Sequence, residues 1–169
     1  MSYKKNAEVA QRFLDKADWN YVINYDHPKK QVNFFYDIGG YRGIYKSFRS
    51  VLRVNSNMFK VVTFFPSSIQ NSNIVEIVEF ATRANGQLSY GAFKVDFDFK
   101  EIYFDIAFPI TIINGEIDEL DEILHFDFLL SCGAKMFDSY SYGFAKIIMG
   151  ELTPARAIIY SNEMDGLTK

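Results

Sequence analysis

The stretch FPSSIQNSNIVEIVEFATRANGQLSYGAFKVDFDF, residues 65–99, decides the fold, because its hydrophobic period changes from that of a helix to that of a strand on either side of Gly86. Ile74, Ile77, Val78, Ala81 and Ala84 recur at the helical spacing, which predicts a helix over residues 73–85 with Asn71 or Ser72 as its cap and Gly86 as its stop. Glu76, Glu79 and Arg83 fall on the opposite side, a solvated face. From Tyr90 the chain alternates instead. Phe93, Val95, Phe97 and Phe99 point one way, and Lys94, Asp96 and Asp98 point the other. A strand with one apolar face and a helix with one apolar stripe can each bury that surface on the other.

Working outward, residues 101–108 follow so closely that they pair with residues 90–99 as a hairpin around Phe99-Lys100-Glu101, with Ile102, Phe104, Ile106 and Phe108 facing inward. Pro109 ends or edges that strand, and residues 110–113 form an apolar run that the pattern assigns to neither element. Upstream, a first helix over residues 6–17 precedes four strands, residues 19–25, 32–38, 43–54 and 58–65. Turns at Asp26-His27-Pro28-Lys29, Gly39-Gly40 and Asn55-Ser56-Asn57 separate them. In the third strand Ile44, Phe48, Leu52 and Val54 share a face. Downstream of Glu116 the helical stripe returns in Ile117, Leu120, Leu124 and Phe128, and resumes in Phe137, Tyr140, Phe144, Ile147 and Ile148 up to Gly150. Gly133 is a point where this helix can bend or break, and Thr153-Pro154 leads into a short C-terminal segment. The order α-ββββ-α-ββ-α predicts a single α+β domain spanning residues 1–169, an antiparallel β-sheet with flanking helices. Its expected core includes Phe48, Leu52, Ile77, Val78, Phe93, Val95, Phe104 and Ile106.

A chain of 169 residues is one ordinary domain, and 49% hydrophobic with 17% aromatic residues implies a dense core or an apolar binding surface. A net charge of −3 and an isoelectric point near 5.4 leave no basic footprint for a phosphate backbone, so nucleic-acid binding is not expected. No segment approaches the length of a membrane span, and the opening MSYKKNAEVAQRFLDK lacks both an uninterrupted apolar region and a small-residue cleavage site. A cytoplasmic location is expected, and the single Cys132, in an apolar helical context, reads as a buried inert thiol.

Residues suited to chemistry are sparse. Asp96, Asp98, Glu101 and Asp105 cluster at the second hairpin and could hold a hard cation, but outward positions of a half-buried strand read more simply as a solvated face. His27 and His125 lack zinc spacing; one falls in a turn and the other on a helix flank. Ile38-Gly39-Gly40-Tyr41-Arg42-Gly43 is glycine-rich but opens no helix and lacks the Gly-Lys-Ser/Thr ending, so it reads as a hairpin loop. Tyr140 and Tyr142 could line a pocket, although Tyr140 at helical spacing reads as core with its hydroxyl at the edge. No catalytic, metal-binding or cofactor-binding residue is assigned, and no cofactor is expected.

The ordered series FFPSSI, VEFATRAN, LSYGAFKVDFDFKEIYF and GELTPARAIIYSNE resembles the YbjN-like family of bacterial proteins, whose fold is similar to that of type III secretion chaperones. Its markers are Phe65-Pro66, Asn85, Gly91 and Phe93 with Asp96 after them, then Gly150, Thr153-Pro154 and Ala157. The resemblance covers most of the chain from about Phe13, and the chain departs from it in the aromatic segment between Gly133 and Gly150. It implies a chaperone-like or regulatory role without established catalytic residues.

Two functions follow as expectations. The first is a non-enzymatic, chaperone-like or regulatory domain that binds another protein or peptide; the second is a small-ligand sensor or enzyme with a pocket between the central helix and the sheet. The aromatic excess and the resemblance also lead us to expect a homodimer. For a protein partner, the face of the first strands opposite the core carries Val22, Phe35, Tyr45 and Val51 among Asn20, Asn33, Ser47, Arg49 and Arg53, a mixture resembling recognition surfaces. Phe35, Tyr45, Arg49 and Val51 are the expected binding residues, unless a terminal helix packs over that face.

Overall fold

A computed structural model describes residues 2–41, 45–110 and 119–167 of the chain. Helix α1 (Tyr3–Lys16) leads into β1 (Tyr21–Asp26), β2 (Gln31–Gly39), β3 (Ser47–Val54) and β4 (Met58–Phe64). Helix α2 (Ile74–Asn85), β5 (Ala92–Asp96), β6 (Glu101–Pro109), α3 (Glu119–Ile148) and α4 (Pro154–Leu167) follow. The six strands form one antiparallel sheet in the order β1-β2-β3-β4-β6-β5, which is the α+β architecture read from the sequence. Expectations at Gly43, Ile44, residues 111–113 and residues 116–118 lie outside the described residues.

The helices gather on one face. Tyr36 on β2 donates its hydroxyl proton to the Leu130 carbonyl oxygen of α3 at 3.0 Å, and Trp19 at the end of α1 packs edge-on against the same Tyr36 ring. On the inner face the registered row Tyr36, Ser50, Thr63 and Phe104 narrows at its centre, where the Ser50 and Thr63 hydroxyls bond to each other at 3.0 Å. Gly133 of α3 sits over that pair, and a Cβ there would meet Thr63 Oγ1 at 2.2 Å. The glycine therefore does not bend or break the helix. It lets α3 run continuously across the sheet at close range.

Between α2, α3 and the sheet the interior is filled by rings. Phe93 has Phe104, Phe137, Phe144 and Tyr140 within 5.1 to 5.4 Å, in edge and tilted contacts typical of aromatic cores. Of the expected core, Phe48, Leu52, Ile77, Phe93, Phe104 and Ile106 are buried; Val78 and Val95 are half-buried. Phe80, which the periodic reading of α2 passed over, is fully buried against Phe144.

Two further local expectations are corrected. Neither Asn71 nor Ser72 caps α2: residues Asn71–Asn73 form a 3₁₀ turn, and Asn73 instead donates its amide protons to the Ile147 and Ile148 carbonyls at the end of α3. That carboxamide satisfies two of the four carbonyls a helix end leaves open, while Gly150, at φ +71°, closes α3 through its own N–H to Ile147. Phe97 and Phe99 leave the inward set of β5 and are 61% and 77% exposed. The reason is a turn over residues 97–100: Asp96 accepts protons from the Asp98 and Phe99 amides, and Lys100 adopts φ +54°, so strand alternation ends at Asp96.

Candidate functional site

The antiparallel register sets the outward side chains in rows. One row crosses the whole sheet from β1 to β5: Val22, Phe35, Val51, Val62, Asp105 and Ala92 are successive Cα partners. A second runs Asn24, Asn33, Arg53, Lys60 and Ala107. On the other side, Asp37 pairs with Arg49, and Phe64 pairs with Tyr103 and through it with Lys94. Because the helices occupy the inner face, no helix among the described residues covers these rows, and the expectation that a terminal helix packs there is not met.

Exposure along the central row is uneven. Val22 is 69% and Phe35 43% exposed, whereas Val51 and Val62 are both 2%. The centre is roofed by its own long side chains: the Arg49 guanidinium lies over the Phe64 ring at 4.8 Å and reaches Glu101 at 3.3 Å. Lys60 and Lys94 converge on the same oxygen of Asp105, Oδ2, at 2.6 and 2.8 Å. Long cationic stems laid over apolar neighbours are a familiar way to keep a sheet face soluble. Alternation thus gave the direction of Val51 correctly but not its accessibility.

Of the expected binding residues, the structure keeps Phe35 and Arg49 outside and together on this face. Val51 is withdrawn because it is buried beneath its neighbours. Tyr45 is withdrawn because it precedes β3, where strand alternation has no meaning, and its ring packs on Phe48 and Phe65. Asn33 is nearly buried and accepts from Gln31. Arg53, exposed on the second row, has no ion pair among the described residues.

Beyond Arg49 the face ends in an open cleft of about 500 Å³ whose walls include Asp37, Arg49, Phe64, Pro66, Phe99 and Glu101. Phe64 escaped sequence reasoning, Phe99 was expected to face inward, and Asp105 was read as part of a solvated carboxylate cluster and not as the partner of two lysines. The outward alternation of Lys60, Val62 and Phe64 was readable, but the pairing of β4 with the distant β6 was not.

The chemistry-bearing residues disperse. Asp96 is spent on its turn, Glu101 on Arg49 and Asp105 on two lysines, and no group of three or more metal-ligating side chains occurs among the described residues. His27 is exposed and hydrogen-bonded to Tyr3, and His125 is exposed on α3. Tyr140 is buried and donates to Gln87, while Tyr142 packs edge-on against Tyr160 of α4. Burial pushes the Cys132 thiol up to about 11, against a smaller opposing pull from Lys135, so the thiolate needed for nucleophilic attack is scarce at neutral pH. No helix among the described residues is long and apolar enough to cross a membrane. No protein-family model matches the chain, and no curated protein is found similar to it.

Proposed function

We propose that this chain is a non-enzymatic, chaperone-like or regulatory domain that holds another protein or peptide against the uncovered face of its sheet. One observation carries the reading: Val22 and Phe35 are cross-strand partners, both apolar and both exposed, on a face that no described helix covers. Arg49, Arg53 and Asn24 stand around them, so contact area and orienting hydrogen-bond donors lie side by side, as in protein-recognition surfaces.

The resemblance to the YbjN-like family supports the same reading, with a cytoplasmic bacterial setting. Its marker residues serve the backbone: Asn85 bonds both polar groups of Phe93, Gly91 has φ +64° with no room for a Cβ beside Phe104, and Gly150 closes α3. Such markers speak for a shared scaffold. Against an enzyme or small-ligand sensor stands the ring-filled interior between α2 and the sheet.

The test is a paired Val22→Ser and Phe35→Ser variant. Thermal stability is expected to stay within about 1 kcal/mol, as for other surface substitutions, while recovery of a partner by affinity capture from the native host is lost. Unchanged capture, or a small molecule retained in a native mass spectrum in place of a polypeptide, overturns the proposal.

A further inference from the structure

The two edges of the sheet are treated differently. At β5 the edge is closed: the Asn85 carboxamide accepts from the Phe93 N–H at 2.7 Å and donates to the Phe93 carbonyl at 2.9 Å, occupying backbone groups as an added strand would, and α2 lies alongside. At β1 nothing equivalent occurs. Helix α1 reaches β1 through side chains, the Tyr21 hydroxyl donating to Asp15, but among the described residues no side chain or loop bonds to the outward backbone groups of Tyr21–Asp26. Its sequence, YVINYD, has neither the lysine nor the proline that usually guards an open edge.

We infer that β1 is a self-association edge, at which a second copy of the chain adds its own β1 antiparallel across a two-fold axis perpendicular to the sheet. The proposal stands apart from the partner-binding reading, because it uses the backbone of the edge rather than the side chains of the face. Self-complementarity selects a second copy. Placing the axis at Ile23 keeps inward residues opposite inward ones, sets Tyr21 against Tyr25 of the other copy, and sets Val22 against Asn24. All helices then stay on one side of a continuous sheet.

Charge complementarity agrees. Asp18 stands before β1, separated from it by Trp19 and Asn20, and Lys30 closes the turn that joins β1 to β2, both exposed and neither in an ion pair among the described residues. Antiparallel pairing brings the Lys30 end of each copy to the Asp18 end of the other, so both unpaired charges find partners twice. With β5 capped by Asn85, growth stops at two copies instead of continuing into a filament.

Sedimentation velocity with hydrogen–deuterium exchange tests this on the full chain. A dimer is expected at micromolar concentration, with β1 amides gaining protection as concentration rises and the Phe93 amide protected throughout. The Val22→Lys/Asn24→Lys variant, altered only at exposed positions, is expected to be a folded monomer by circular dichroism. Lys30→Asp, which sets like charges together at both ends, is expected to weaken the dimer about tenfold, and the swap D18K/K30D to restore it. A monomer at all concentrations overturns the proposal, as does a dimer whose β1 amides stay unprotected or whose affinity is indifferent to both lysines and charge swap.

Discussion

Gly133 and Thr63 touch where the longest helix crosses the middle of the sheet: a Cβ on Gly133 would stand 2.2 Å from Thr63 Oγ1 and 2.5 Å from its Cβ. Thr63 cannot give way, because its hydroxyl is tied to Ser50 in a fully buried pair. Gly133→Ala therefore sets a helix-propensity gain of about 1 kcal/mol against overpacking of about 1–3 kcal/mol, plus loss of the Ser50 bond if the helix lifts away. A net loss of about 1–2 kcal/mol is expected in urea denaturation. An alanine variant as stable as the parent would mean that the helix does not ride this closely.

The Asn85 carboxamide joins the end of α2 to β5, eight residues further along the chain. Asn85→Ala leaves the Phe93 N–H and carbonyl without partners in a half-buried place, at a cost of about 1–3 kcal/mol. It also uncovers a second edge. Light scattering at rising concentration should then detect species larger than the parent's, since a sheet open at β5 can continue to add strands. A destabilised variant with the parent's oligomeric state would limit Asn85 to anchoring α2.

Much of this fold was legible, and the reasons are local. Alternation in residues 93–96 and 101–108 and the stripe of Ile77, Ala81 and Ala84 record burial directly, because each element buries one face. What stayed hidden depends on partners distant in sequence. Nothing near Asn73 announces that its amide serves a helix end some seventy residues away, and Gly133 looks like a breaker until Thr63 is beneath it. The candidate face was half legible for the same reason: Phe35 and Arg49 could be placed from their own strands, but Val51 is buried between cross-strand partners on β2 and β4, Phe35 and Val62.

Stability should depend on alkaline pH through Cys132. Burial raises the folded-state pKa from 9.0 to about 11, so the unfolded chain loses this proton first. The contribution is fully present below pH 9 and is lost as pH rises from about 9 through about 11, the interval in which the unfolded state binds fewer protons. Tyr36, buried and likewise raised, acts in the same direction at higher pH. Comparing denaturant midpoints of the parent and Cys132→Ala at pH 8, 9, 10 and 11 isolates the thiol. The parent's midpoint should fall more steeply above pH 9, and parallel curves would place Cys132 in contact with water.

Asp105 and its two lysines form an asymmetric unit. The carboxylate side chain is 9% exposed, while those of Lys60 and Lys94 are 31% and 47%, so cations can return to water when the anion is removed but the anion cannot follow when the cations are removed. Asp105→Asn keeps shape and some hydrogen bonding, and the freed lysines swing outward; a loss of about 1 kcal/mol is expected, as for exposed pairs. Lys60→Met with Lys94→Met leaves a nearly buried carboxylate with no counter-charge over Val62, its cross-strand partner, and a loss of about 3–5 kcal/mol is expected, as when a buried pair is broken from one side. Adding Asp105→Asn to the double methionine variant should recover most of that loss. Denaturant melts of the three variants measure the order. If Asp105→Asn proves the most costly of the three, the carboxylate has other partners, and the lysines are not what holds it on the open face.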